Sequence, residues 1–169
     1  MAYPYPHHCP SFDYRGRYRY ALTFPTYERR RVFADSDSVA LVWLQILRAA
    51  TEQGFEVILY CFMPDHLHLV VEGLADGADG KAFVKLAKQY GGYYYARANR
   101  GARLWQRYGH DRIVRDDAKL VQIVRYIVEN PVKAGLASES RHYPFLGSQR
   151  WSVDELLEWC QNPVEIFRE

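Results

Sequence analysis

Met63-Pro-Asp-His-Leu-His-Leu-Val-Val-Glu72 combines a turn, a β-strand and a pair of alternate histidines in one short stretch. Pro64 and Asp65 favour a tight turn, and the residues that follow them are rich in β-formers. Residues two positions apart on a strand point to the same face, so His66 and His68 should project side by side. The stretch therefore predicts a strand that presents two imidazoles on one face, which we expect to be the open face of the sheet, and Leu67, Leu69 and Val71 on the other.

The flanking segments predict a sheet in which strands and helices alternate. Strands are predicted at 17–24, 55–63, 66–72 and 111–115, and helices at about 37–53, 81–99, 116–130 and 152–159. The order β-α-β-β-α-β indicates an α+β, ferredoxin-like split βαβ antiparallel sheet with helices on one face. Asp37 or Ser38 should cap the first helix, and Gly91-Gly92 should weaken or kink the second. An additional C-terminal helix carries Tyr126 and should end at Asn130-Pro131.

The composition is that of a globular protein with one folded domain. The 169 residues are 49% apolar and 25% charged, and no apolar run approaches the roughly 20 residues that a membrane span needs. The N-terminus lacks the apolar core of a signal peptide, and three scattered cysteines indicate no disulfide framework, so we expect a cytoplasmic protein. We assign 1–16 to an irregular N-terminal arm, 17–136 to a catalytic domain, and 137–169 to a C-terminal extension packed on the same domain.

Charge is distributed unevenly along the chain. Residues 81–133 hold twelve Lys/Arg and four Asp/Glu, although the net charge of the whole chain is only +2. This half also holds many of the fourteen tyrosines. Cations interleaved with aromatic rings are typical of single-stranded nucleic-acid binding, where unstacked bases lie on the rings. The alternative is that the aromatics belong to the core and the charges are simply solvated.

The third helix adds polar groups that could complete a site with the histidines. Gln122, Tyr126 and Asn130 are four residues apart, so they form one row on a helix. Alone, this row is more typical of a tyrosine at the edge of a core and an asparagine closing a helix. Next to the histidine pair, Asn130 could add an oxygen ligand to two imidazoles around a divalent metal, and Tyr126 could supply a nucleophile.

These segments resemble a known family. Pro64-Asp-His-Leu-His68 is similar to the HUH motif (histidine, bulky hydrophobic residue, histidine) of single-tyrosine HUH endonucleases. Arg103-Leu-Trp-Gln-Arg107 and Tyr126-Ile-Val-Glu-Asn-Pro-Val-Lys-Ala-Gly135 resemble the REP-associated tyrosine transposases, relatives of bacterial insertion-sequence transposases. The resemblance covers roughly residues 18–145. A histidine-triad hydrolase is disfavoured because Val70 occupies the place of its third histidine, and rolling-circle initiators often carry lysine where Asn130 stands.

The resemblance implies a mechanism and a set of partners. Tyr126 would attack a DNA phosphate, leaving a 5′-phosphotyrosine and a free 3′-OH, while His66, His68 and Asn130 would hold Mg²⁺ or Mn²⁺. Relatives act on single-stranded DNA beside imperfect palindromes that fold as hairpins, as monomers or homodimers. The alternative is a hairpin-binding protein of the same descent that no longer cleaves DNA.

The basic half supplies the residues that we expect to contact DNA. Trp105 or a tyrosine should stack on an exposed base, and the cations should contact phosphates. The predicted contacts are Lys81, Lys85, Lys88, Arg97, Arg100, Arg103, Arg107 and Lys133.

Overall fold

The computed structural model describes residues 12–162, which form a five-stranded antiparallel sheet flanked by four α-helices. The predicted arm up to residue 11 and positions 163–169 of the predicted extension lie outside this range. The α+β class is confirmed, and the first four strands take the spatial order 4-1-3-2 of a split βαβ sheet. The elements are β1 (Arg19–Pro25), α1 (Ser36–Gln53), β2 (Phe55–Met63), β3 (His66–Gly73), α2 (Gly80–Ala98), β4 (His110–Val114), α3 (Asp117–Lys133), β5 (Leu146–Gly147) and α4 (Val153–Gln161).

Helices cover both faces of the sheet, so the prediction that they share one face was wrong. α1 and α2 pack on the face that carries Leu67 and Leu69, while α3 and α4 pack on the face that carries Val70. The reason is visible in β2, whose sequence FEVILYCFM is almost continuously apolar. Such a run is typical of a strand buried on both faces, whereas a strand with one solvent-exposed face alternates apolar and polar residues. The apolar stripe of α3 covers the second face.

Two helix ends differ from the prediction. Asp35, not Asp37 or Ser38, caps α1, since its carboxylate accepts a 2.9 Å hydrogen bond from the Ser38 amide. α3 continues through Pro131 to Lys133. A proline so close to the end of a helix removes only one backbone hydrogen bond, and its ring is buried here, which offsets that loss.

The chain after α3 adds a fifth strand that the sequence did not predict. β5 is only two residues long and pairs with the outer edge of β2 at Tyr60 and Cys61. The Tyr143 hydroxyl donates a 2.6 Å hydrogen bond to the Phe62 carbonyl, and the Ser140 hydroxyl donates one of 2.7 Å to the Val128 carbonyl. These contacts fasten α3 and the following segment to the same sheet.

The start of the described chain packs on the domain. Tyr14 is buried and its ring stacks on that of Tyr20, with the centroids 6.2 Å apart. Arg15 forms an isolated β-bridge with Asp79. Within residues 12–162, no helix combines the length and the apolar character that crossing a bilayer requires.

Candidate active site

The two histidines of β3 lie side by side on the face of the sheet that α3 covers. Their Nε2 atoms are 3.0 Å apart and their rings are nearly perpendicular. The register of β1 against β3 puts Pro25 opposite His66 and Thr23 opposite His68. The strand period thus brings two ring nitrogens to one point, as the sequence predicted.

The opposite nitrogen of each ring has its own partner. His66 Nδ1 lies 2.6 Å from Asp65 Oδ1, and His68 Nδ1 lies 3.1 Å from the Thr23 hydroxyl. Partners of this kind fix the orientation and tautomer of an imidazole, and they usually accompany histidines that bind metals. If each Nδ1 carries the proton, both Nε2 lone pairs point toward the same place.

Burial favours the neutral form of both rings. It lowers the pKa of His66, against the opposing effect of the Asp65 carboxylate, and it lowers the pKa of His68 to about 3, with the charge of His66 adding to the shift. A neutral imidazole is the form that binds a metal. Two ligands at about 2.1 Å from an octahedral ion, on adjacent corners, are about 3.0 Å apart, which agrees with the 3.0 Å between the Nε2 atoms.

Asn130 supplies the third polar group at this point. Its side-chain amide nitrogen is 3.3 Å from His68 Nε2, and a half-turn of the amide would bring Oδ1, the atom that binds cations, to the same position. No group of three His, Cys, Asp or Glu suited to a metal occurs in residues 12–162, and Asn130 is the further side chain that contacts the histidine pair. Two imidazoles and one amide oxygen fit a divalent ion with open coordination positions.

Tyr126 lies at the mouth of the site, one helical turn before Asn130. Its ring centroid is 6.1 Å from that of His68, and 56% of the residue is exposed. A large aromatic side chain left this exposed beside a buried imidazole can be reached by a ligand from solvent. α3 therefore places a hydroxyl next to the histidine pair, and Gln122, the third member of the predicted row, is also exposed.

The histidines were expected on an open face of the sheet, and this expectation was wrong. His68 is only 8% exposed because α3 packs over it. Truncating it would leave a cavity and would deprive the Thr23 hydroxyl of its partner, so a His68→Ala variant loses stability as well as a ligand. His66 is half-buried and nearer the rim.

Three of the predicted DNA-contacting cations line a cleft of about 440 Å³ between α2 and the loop that follows it. Arg103 and Arg107 are exposed, and the Arg103 guanidinium lies 4.6 Å from the centre of the Tyr27 ring. Lys88 is half-buried and donates hydrogen bonds of 3.0 and 3.3 Å to the carbonyls of Gln106 and Arg107. These hydrogen bonds tie Lys88 to the loop, and burial, with the nearby Arg103 charge, lowers its pKa.

The other predicted cations are spread over a wider surface. Lys81 lies over the Tyr14 ring, Arg97 over Tyr93, and Lys133 pairs with Glu129 on α3 at 2.6 Å. All of them are exposed, as are Lys85 and Arg100. Lys85 and Arg97 lie on α2, whereas Lys133 lies on α3, the helix that carries Tyr126.

Trp105 is in the core, which contradicts its predicted role in stacking on a base. It is 6% exposed, and its ring centroid is 5.7 Å from those of Phe24 and Phe33. α2 runs unbroken through Gly91 and Gly92, so the predicted kink was also wrong. The glycines instead admit the indole, since a Cβ at Gly91 would lie 3.3 Å from Trp105 Nε1.

The loop that carries Trp105 is tied to the end of β1 beside the histidines. The Gln106 amide donates to the Pro25 carbonyl at 2.9 Å, and the Tyr27 amide donates to the Leu104 carbonyl at 2.7 Å. The basic cleft and the histidine pair are therefore neighbours, joined through the turn that follows β1.

That turn is strained, and no pattern in the sequence predicted the strain. Glu28 and Arg29 both have φ of 54°, in the left-handed region that normally requires glycine or asparagine. Each such residue costs roughly 1–2 kcal/mol. Arg29 Nε pairs with Asp65 Oδ2 at 3.2 Å, but an exposed ion pair returns only about 0–1 kcal/mol. This pair therefore does not offset the strain.

Sequence reasoning missed three residues that contact the site: Thr23, Asp65 and Arg29. Thr23 carried a weak signal, because it is a polar residue between Leu22 and Phe24 on β1, facing the same side of the sheet as the histidines. Asp65 lies in the predicted turn and in the segment that resembles the HUH motif, but the sequence predicted no contact between its carboxylate and His66. Arg29 carried no local signal, since its role depends on a backbone conformation that its residue type does not favour.

Comparisons with known proteins agree on one family. The model of the family described as "Transposase IS200 like" matches residues 15–130. A candidate REP-associated tyrosine transposase of Haemophilus influenzae is 30% identical over 122 residues, which cover 64% of this chain and 69% of that protein.

Two solved structures share the fold. A REP-associated tyrosine transposase bound to a REP hairpin superposes with a TM-score of 0.71 at 18% identity, covering 91% of this chain and 90% of the other. A candidate transposase from Deinococcus radiodurans R1 has a TM-score of 0.51 at 23% identity, covering 77% and 97%.

Proposed function

Because the chain belongs to the IS200-like transposase family, and resembles its REP-associated members, we propose that it is a metal-dependent single-strand DNA endonuclease and transposase. It cleaves and rejoins DNA beside hairpin-forming palindromes through a 5′-phosphotyrosine intermediate. Tyr126 is the nucleophile, and His66, His68 and Asn130 hold Mg²⁺ or Mn²⁺.

One observation supports this proposal above the others: an exposed tyrosine stands beside a buried imidazole pair. Tyr126 is 6.1 Å from His68, ring to ring, while the two imidazoles turn their Nε2 atoms toward each other. A purely structural tyrosine at a core boundary would bury its ring, whereas the Tyr126 side chain is exposed beside the imidazole pair.

The chain's residues have separate tasks in the reaction. The Tyr126 oxygen forms a bond to phosphorus as the bond from phosphorus to the 3′ oxygen breaks, and the phenol proton is balanced by the proton that the released 3′-OH gains. One phosphodiester replaces another, so the reverse reaction rejoins the strand. Asp65 and Thr23 hold the imidazoles in place. A bound divalent ion would withdraw charge from the phosphate.

The substrate is proposed from the relatives and from the charge of the surface. The structure of a REP-associated tyrosine transposase with the same fold was solved in complex with a REP hairpin. In this chain, the basic cleft adjoins the proposed site through the turn after β1. A hairpin held by exposed arginines would leave its single-stranded flank to run past the histidine pair.

The test uses hairpin oligonucleotides built on the imperfect palindromes nearest the gene, each with single-stranded flanks and a label at one end. Wild-type protein with Mn²⁺ should give a covalent adduct that survives a denaturing gel, carried by the fragment 3′ of the break, and the other fragment should end in 3′-OH. Tyr126→Phe should form no adduct and bind the hairpin with affinity near that of wild type. Tyr93→Phe, at a tyrosine with the same exposure of 56%, is the matched control.

The second candidate function is binding of DNA hairpins without cleavage. It is favoured by the exposed arginines, which could serve binding alone. Hairpin binding by the wild type with no adduct in Mg²⁺ or Mn²⁺ would establish it, and an adduct that persists in Tyr126→Phe would refute Tyr126 as the nucleophile.

A further inference from the structure

The strained turn at Glu28-Arg29 delivers a guanidinium to the edge of the histidine pair. In residues 12–162, positive φ at a non-glycine residue occurs at only one other place, Arg100. Backbone strain that persists in a fold is held by its surroundings and is frequently part of a functional site. The position of Arg29 beside Asp65 and His66 suggests what this strain achieves.

Several hydrogen bonds over-determine the turn. The Thr26 amide donates to the Asp65 carbonyl at 3.0 Å, and the Arg29 amide donates to the Thr26 carbonyl at 3.1 Å. The Thr26 hydroxyl, in a fully buried side chain, lies 2.7 Å from the Arg30 carbonyl and 2.9 Å from the Asp65 carbonyl. Thr26 therefore locks the turn after β1 to the turn that precedes His66.

Arg29 and His66 share one carboxylate. Asp65 Oδ2 pairs with Arg29 Nε at 3.2 Å, while Asp65 Oδ1 contacts His66 Nδ1 at 2.6 Å. The pair is made through Nε, and the Arg29 side chain is 55% exposed, so the terminal guanidinium nitrogens remain accessible from solvent. These nitrogens carry a forked set of donors suited to phosphate oxygens.

We propose that Arg29 is a phosphate-binding residue of this site, which donates to an oxygen of the DNA strand at the cleavage position. The inference rests on the proposed function. Negative charge grows on the phosphate oxygens as Tyr126 attacks, and a fixed guanidinium stabilises that charge. The hydrogen bonds of Thr26 hold the turn in its strained conformation, and that conformation places the guanidinium beside His66.

A merely structural role gives different results. If Arg29 served only to hold Asp65 and thereby His66, its loss would weaken metal binding by the free protein and leave DNA binding unchanged. If it binds a phosphate, its loss would leave metal binding intact and weaken DNA binding where the strand crosses the site.

The variant is Arg29→Gln, which keeps a long polar side chain under the same backbone strain. Arg30→Gln is the matched control, since Arg30 is adjacent and similarly exposed, lies over the Tyr27 ring and pairs only loosely with Glu28 at 3.9 Å. Two DNA probes are compared: a hairpin with a single-stranded flank that spans the cleavage position, and the same hairpin without that flank. Mn²⁺ affinity is measured on the free protein by calorimetry.

For Arg29→Gln we expect Mn²⁺ affinity within twofold of wild type. The slope of log affinity against log salt should fall by about 0.7 on the flanked hairpin and not on the bare one, as for one lost contact to a single strand. Cleavage in single turnover should slow by about 10²- to 10³-fold, with partial recovery in Arg29→Lys. Arg30→Gln should match wild type on all three measurements.

An unchanged slope on the flanked probe, or an equal loss on both probes, would overturn the role of Arg29. So would a tenfold loss of Mn²⁺ affinity with unchanged DNA binding. The slope of log affinity against log salt depends on DNA binding and not on cleavage. If the wild-type protein bound the flanked hairpin without forming an adduct, the proposed endonuclease activity would be refuted. The slopes would still decide whether Arg29 contacts the DNA.

Discussion

Replacing Trp105 tests whether it is a core residue or stacks on a base. Loss of a core residue lowers the free energy of unfolding, whereas loss of a base-stacking residue lowers the affinity for DNA. The residue is 6% exposed and lies between Phe24 and Phe33. An aromatic side chain that buries roughly 150–250 Å² contributes about 4–6 kcal/mol at about 25 cal/mol per Å². Observed losses for Trp→Ala in cores are about 3–5 kcal/mol. We therefore expect Trp105→Ala to lose about 3–5 kcal/mol of unfolding free energy, a large part of the stability of a domain.

Trp105→Phe sharpens the test. It keeps an apolar ring in the same place and removes the indole N–H, which is buried and has no hydrogen-bond partner in the described part of the chain. A buried unpaired donor costs about 1–3 kcal/mol, and its removal offsets part of the lost volume. We expect Trp105→Phe to lie within about 1.5 kcal/mol of wild type.

The assay is urea unfolding followed by circular dichroism, with hairpin binding measured on each variant that folds. Tyr108→Ala is the control, because this neighbouring ring is 66% exposed and its loss should change stability by less than about 0.5 kcal/mol. Trp105→Phe should bind a hairpin as wild type does. The reasoning fails if Trp105→Ala keeps wild-type stability while either Trp105 variant loses tenfold or more in DNA affinity.

Three further outcomes are expected. Thr23→Val removes the partner of His68 Nδ1 at nearly constant shape and should weaken Mn²⁺ binding by the free protein about 10- to 100-fold; an unchanged titration would exclude that role. Tyr143→Phe leaves the Phe62 carbonyl without its 2.6 Å donor and should cost about 1–3 kcal/mol in urea unfolding, whereas an unshifted midpoint would contradict this. Neutralising three exposed arginines at and beside the cleft should flatten the salt dependence of DNA affinity by about two units on any sequence, and a constant slope would locate binding elsewhere. The three are Arg100, Arg103 and Arg107.

The sequence correctly predicted those features of the site that depend on the periodicity of a single strand or helix. The alternation of His66 and His68 and the four-residue spacing of Tyr126 and Asn130 are properties of one strand and one helix, so the faces on which they lie follow directly. That these two elements would pack together came from the family resemblance. Nothing in either segment alone specifies the 3.3 Å approach of Asn130 to His68.

The features that the sequence did not predict depend on contacts between segments that are distant in the chain. The local sequence around Trp105 would be the same whether the side chain stacked on a base or packed in the core. Its burial depends on Gly91 and Gly92 of α2, which leave room for the indole ring. β5 is too short, at two residues, to show any alternation. The left-handed conformation of Arg29 is imposed by hydrogen bonds from the surrounding loops, and no residue type in that turn predicts it.

The hydrogen bonds that build the site join residues remote in the chain, and this has a consequence for biosynthesis. Thr23 and His68 are 45 residues apart, His68 and Asn130 are 62 apart, and the Tyr143 tether reaches back 81 residues to Phe62. Contacts of such separation form late, since the entropy of closing large loops must be overcome first. A nascent chain that has emerged as far as Tyr126 already carries both histidines and the nucleophile, yet lacks the segment that fastens α3 to the sheet. The site is thus assembled only after the segment through Tyr143 has been synthesised.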